Sequence, residues 1–265
     1  MRVQNIPLLW ILFLASAIPL FANSPDRAFC DKILGENKRF IDFINVPISN
    51  FADLEELADF RNAALEHYTA HKEFLSGHYP KTHAHIRNSQ RILKDLYYKV
   101  LGKYYQKDAR EMLERNSAMI IETRDVRAKH LMKLGYRDLK VADIYKQKGY
   151  NHNIHLYSTK IWFYIDAIKY ARQAKRYALL AIIESQTPYA DKDDFKQQTI
   201  DDHFNKPEPD EKRDFDRVQT KLINLIHRKL VNDNYNFFFH LFDNYGYINS
   251  EKRNQYDDFI SQTQK

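Results

Sequence analysis

The sequence predicts an all-α fold, an elongated multi-helix bundle with several long helices and no significant sheet. Three observations carry this. Gly is scarce, 6 in 265 residues, whereas sheet proteins spend glycines on turns. Apolar residues recur at spacings of three and four over long stretches. Aromatic content is 14%, mostly 18 Tyr and 17 Phe, too many rings for a disordered chain of this charge.

The N-terminus reads as a secretory signal. Arg2 supplies the positive charge, residues 6–14 form an apolar run, and Pro19 precedes a cleavage site after Ala22. A retained anchor is the alternative reading. The expected organisation is a signal peptide over 1–22 and a single elongated helical domain over 23–265. Cys30 is the only cysteine, so no internal disulfide can form. Arg27-Ala28-Phe29 before it suits lipidation poorly, which favours a free or partly buried thiol over a lipidated one.

The first clear helix spans about 49–76, capped by Ser49 or Asn50, with Asp53, Glu55 and Glu56 at its positive end and Gly77 and Pro80 stopping it. A second begins near Thr82 and reaches Gly102, which ends or bends it. A third is expected over 104–134, closed by Gly135, followed by a short helix over 139–148. The next, 154–185, carries a small-residue stripe of Ala167, Ala171, Ala174, Ala178 and Ala181, which lets another backbone approach closely. An acidic loop near 189–209 separates it from a helix opening at Pro209. The aromatic run 237–242 reads as a buried helix or docking knob, and Ser250 as the cap of a terminal helix.

Charge is polarised. Residues 81–176 hold 22 basic and 9 acidic side chains, a balance of +13, whereas 184–216 hold 11 acidic and 5 basic, a balance of −6. An exported chain rarely meets nucleic acid, so an acidic protein, a polyanionic polymer or an acidic patch on its own neighbour is the expected partner. The aromatic pairs Tyr97-Tyr98 and Tyr104-Tyr105, and the run Trp162-Phe163-Tyr164, exceed what one helix face can bury, so some rings must face outward. The candidate partner-binding residues are Lys94, Lys103, Tyr104, Tyr105, Arg110 and Lys129.

No enzyme chemistry is supported. No Ser sits in a Gly-flanked turn, and no Gly-rich phosphate loop is present. His67 and His71 lie one helical turn apart, and His83/His85 and His152/His155 add pairs, but solvated or hydrogen-bonded roles outweigh a metal site. No cofactor, nucleic acid or membrane insertion is expected.

Leu134-Gly135-Tyr136 with Asp138, followed by Ala167-Ile168 and Tyr170-Ala171, resembles tetratricopeptide helix pairs, although no unit recurs at a fixed period. Lys133-Leu134-Gly135-Tyr136-Arg137-Asp138-Leu139-Lys140-Val141-Ala142 resembles a segment of the spirochaete flagellar-coiling proteins. So does Ala167-Ile168-Lys169-Tyr170-Ala171-Arg172-Gln173-Ala174-Lys175-Arg176-Tyr177-Ala178. That resemblance implies a periplasmic, non-catalytic structural protein that coats the flagellar filament, contributes to its coiling and to motility, and contacts other filament or sheath proteins or itself. A periplasmic tetratricopeptide-like adaptor is the alternative.

Overall fold

The computed structural model describes residues 25–186, 248 and 252–263, and among these there is helix and turn but no strand. The signal segment, the acidic loop, the helix expected at Pro209, the aromatic run 237–242 and Ser250 lie outside the described residues.

Helix α1 spans Arg27–Phe51, a helix that sequence reading missed. Asp26 caps it, accepting from the Phe29 amide at 2.7 Å. Ser49 and Asn50 lie in its last turn rather than capping the next helix. Helix α2, Leu54–Leu75, starts instead at a capping box: the Asp53 carboxylate accepts from the Glu56 amide at 3.0 Å and the Asp53 amide donates to Glu56 at 3.1 Å. It ends as expected at Gly77, whose φ of +76° only Gly adopts cheaply. The Gly77 amide donates to the Phe74 carbonyl and the His78 amide to Glu73, which together form a Schellman closure.

Helix α3, Tyr79–Val100, takes Pro80 in its first turn. It passes through a π-helical segment, Leu101–Gln106, straight into α4, Lys107–Glu122. Gly102 therefore neither ends nor breaks the helix. The break falls at 123–125, where Asp125 caps α5, Val126–Asn151, by accepting from the Arg127 and Ala128 amides. The expected stop at Gly135 and the separate short helix over 139–148 are thus corrected, because α5 runs through both. Gly135 serves close approach instead: a Cβ there would lie 2.7 Å from Leu113 and 3.2 Å from the Ala174 carbonyl oxygen. Helix α6, Tyr157–Gln186, has 30 residues, roughly 45 Å at about 1.5 Å per residue. A short terminal helix α7, Gln255–Thr263, starts where the Asn254 side chain accepts from the Tyr256 amide.

Helices α5 and α6 form the most extensive pair, antiparallel about the turn 152–156, and the α2/α3 hairpin is next. Helix α6 threads two cores. Its first half (Ile161, Tyr164, Ile165, Ala167, Ile168, Ala171) packs with Phe40, Ile44, Phe60, Leu93 and Tyr97 of α1–α3. Its second half (Ala174, Ala178, Leu179, Ile182) packs with Leu113 and Ile120 of α4 and Leu131 and Leu139 of α5. The alanine stripe is a packing seam as expected: Ala167, Ala171, Ala174, Ala178 and Ala181 are all fully buried. Helix α7 returns to α1, where Asn45 donates to Asn254 at 2.7 Å and the Gln255 amide donates to the Ser49 hydroxyl.

Candidate binding surface

The six residues singled out from sequence do not form one free basic face. Lys103, on the π-helical segment, reaches back to the start of α2 and pairs with Asp53 at 2.6 Å and Glu56 at 3.2 Å. Those bonds raise its ammonium pKa, with the Asp53 contact contributing most. Tyr104 donates to the same Glu56 carboxylate and stacks on Phe51, and its phenol is pushed up to about 12 by burial and by that carboxylate. Tyr105 is buried at 6% exposure, which corrects its reading as an exposed contact ring. The cause is the wider π turn, which carries Tyr105 and Gln106 into the core while Lys103 faces water. Arg110 is exposed but paired with Asp143 at 3.3 Å, and Lys94 is paired with its neighbour Asp95 at 3.0 Å. Lys129 is half-exposed on the first turn of α5.

Uncompensated charge gathers elsewhere, where the α5–α6 turn lies against α3. The Arg87 guanidinium sits 4.2 Å from the Tyr157 ring centre and donates to the His155 carbonyl. Lys146 donates to Gln106 at 2.8 Å and lies 4.9 Å above the Tyr98 ring. Lys160, 7% exposed, donates to the Tyr150 carbonyl at 2.9 Å. Among the described residues none of these three forms an ion pair with a carboxylate; carbonyls, an amide and ring faces hold them instead. Burial pulls the Lys146 and Lys160 pKa values down, with Asp143 opposing at Lys146, and with Lys94 adding and Asp95 opposing at Lys160. Tyr98 meets Tyr150 and Tyr164 at centroid distances of 6.0 and 5.7 Å, which joins the two halves of the cluster. Exposed apolar groups stand beside these cations: Tyr150 at 66%, Ile154 at 67% and Leu156 at 47%.

Sequence reading missed this cluster because its cations come from three helices. A signal was present: residues 144–165 contain no acid but carry Lys146, Lys148 and Lys160. The expectation about paired rings holds, since Tyr97 is fully buried while Tyr98 is 38% exposed.

The histidine pairs separate. His67 is buried and accepts at Nδ1 from Asn37 at 3.2 Å, whereas His71 is exposed. His85 pairs with Glu66 at 2.7 Å, His83 lies beside Phe29, and His152 packs edge-on against Phe163. Among the described residues no group of three or more His, Cys, Asp or Glu side chains is placed to hold a metal. Cys30 is fully buried, and its Sγ lies 3.5 Å from the Tyr79 carbonyl, so burial raises its thiol pKa. Among the described residues no helix is long and apolar enough to cross a membrane.

These features define a class, a helical protein whose distinctive surface is a patch of cations and exposed apolar side chains. The chain belongs to the OmpL37 family, described as surface protein adhesins, whose sequence model matches residues 24–265. That description is of surface adhesion and says nothing of a flagellar sheath. No curated protein and no solved structure matches the chain.

Proposed function

We propose that the chain is a non-catalytic adhesion protein of the cell surface, holding another macromolecule through the side of its helical bundle. The observation that carries this reading is the family match over 24–265. The corner where α3 meets the α5–α6 turn supports it physically. Exposed Tyr, Ile and Leu beside unpaired cations are the composition of protein contact surfaces, in which aromatic and aliphatic groups give affinity and charge gives orientation. Intact cells treated with a protease that does not cross the envelope test the reading. A surface adhesin is cleaved without lysis, whereas full protection until lysis would exclude this placement.

A second reading, a periplasmic sheath subunit of the flagellar filament, is favoured by the two blocks that resemble the coiling proteins. It requires the chain to sediment with purified filaments and to be protected in intact cells. The first reading requires the reverse on both counts.

A further inference from the structure

We propose that the corner formed by Arg87, Lys146, Lys160, Tyr150, Ile154 and Leu156 binds an acidic polypeptide segment that also carries apolar side chains. The proposal rests on the adhesion reading only for the partner being a macromolecule; the partner's chemistry comes from the corner itself.

Three cations line this surface, and among the described residues none of them forms an ion pair with a carboxylate. Lys160 is 7% exposed and uses one of its three donors on the Tyr150 carbonyl, while Lys146 spends one on Gln106. Several cations elsewhere on these helices are neutralised within the chain: Lys99 by Glu55 and Asp59, Lys103 by Asp53 and Glu56, Lys175 by Asp108. The acids acting on these lysines, Asp143 on Lys146 and Asp95 on Lys160, are bonded to Arg110 and Lys94. With those acids engaged by other cations, this surface keeps a positive balance that an incoming anion offsets.

The choice among anionic partners follows from what surrounds the charges. A sulfated polysaccharide or a nucleic acid strand rewards a row of extended, freely solvated cations and brings no aliphatic groups to cover Ile154 and Leu156. A flat lipid headgroup layer reaches outward-facing charge, whereas Lys160 is recessed beside Tyr150. A polypeptide meets both demands, because a carboxylate on a flexible side chain can enter beside Tyr150 while neighbouring apolar side chains lie on Tyr150, Ile154 and Leu156.

The test uses the full chain and a fluorescent random copolymer of glutamate and tyrosine, with binding read by anisotropy. Binding is expected to weaken at least tenfold between about 50 and 300 mM salt without vanishing, since screening removes the charge component and leaves apolar burial. Lys146→Met, which keeps the side-chain stem, and Ile154→Ser, at an exposed position, should each weaken binding about tenfold while circular dichroism shows an unchanged fold. Two variants at separate places keep the result readable if one misfolds. No binding of the copolymer overturns the proposal, as does binding that both variants leave unchanged. Heparin or phosphatidylglycerol vesicles binding in its place would assign the corner to a polysaccharide or a membrane. Dimerisation at low salt that both variants abolish would assign it to a second copy of this chain. If the copolymer fails to bind although the chain is cleaved on intact cells, this proposal falls and the adhesion reading stands.

Discussion

Where α6 passes α1, α2 and α3, its neighbours are rings and hydrogen-bonding side chains. About four turns further on, beside α4 and α5, they are alanines and aliphatics. The first core buries Phe40, Phe60 and Tyr97, and between its helices lies a buried polar chain. Ser89 donates to the Ala63 carbonyl at 2.8 Å, so its hydroxyl accepts from Asn37 Nδ2 at 2.9 Å, and the same amide faces Nδ1 of His67. The second core depends on fit, with Ala174 and Ala178 fully buried and Gly135 admitting the α6 backbone. One helix thus crosses two kinds of interior. Loss of a large ring or a change of pH should injure the first, and added volume should injure the second.

The largest effect is expected from Phe60→Ala. Phe60 is fully buried, and its removal leaves a cavity that costs about 3–5 kcal/mol, measurable by urea unfolding. Acid comes next. Burial, followed by the charges of Lys38 and His71, lowers the His67 pKa from 6.5 to about 4, with Asp42 opposing. The unfolded chain therefore takes up this proton first. The stability His67 contributes as a neutral acceptor is complete above pH 6.5 and is lost as pH falls towards 4, about 3 kcal/mol in all. His67→Gln, which cannot protonate, should lose less stability than wild type over that window. Equal slopes for the two proteins would remove the buried polar chain from the account.

Ala174→Leu should cost about 1–3 kcal/mol by overpacking the second core against the α5 backbone. An unchanged melting temperature would mean that this seam has slack and that the contrast between the cores is weaker than drawn. Tyr97→Phe is the mildest change. It removes the 2.6 Å bond from the hydroxyl to the Phe40 carbonyl but keeps the ring, for about 1 kcal/mol.

The contrast between the cores also explains what could be read from the sequence. Alanines at steps of four and three on α6 announced the seam because helical periodicity is a local signal. Gly135, and Gly149 just past the short helix expected over 139–148, misled for a related reason. A glycine inside a helix looks like a stop, but here each clears a partner: Leu113 and the α6 backbone at Gly135, and the Tyr164 ring at Gly149. Helix α1 escaped notice because Pro47 and the polar residues Asn45, Ser49 and Asn50 sit in its final turns. Asn45 and Ser49 bond to the start of α7, some 200 positions away in sequence, a contact that no local pattern encodes. The charge balance of 81–176 was legible, but its pairing was not. Lys103 and Arg110 meet their acids only through the fold, and Arg87, Lys146 and Lys160 are among the cations that meet none there. The blocks that resemble the coiling proteins face each other across the α5/α6 seam, where Ala142, Ala167, Ala171 and Ala174 are fully buried. Such a likeness reports close packing of two helices more directly than it reports a partner.

The central claim is that the chain works by holding another macromolecule at the cell surface. Deleting the gene and scoring attachment, swimming and filament shape in the same cells tests it most directly. The account predicts that attachment to a protein-coated surface falls severalfold, is restored by the wild-type gene and only partly by Lys146→Met, and that swimming and filament shape stay normal. Normal attachment with straightened filaments and impaired swimming would contradict the account and return the chain to the flagellum.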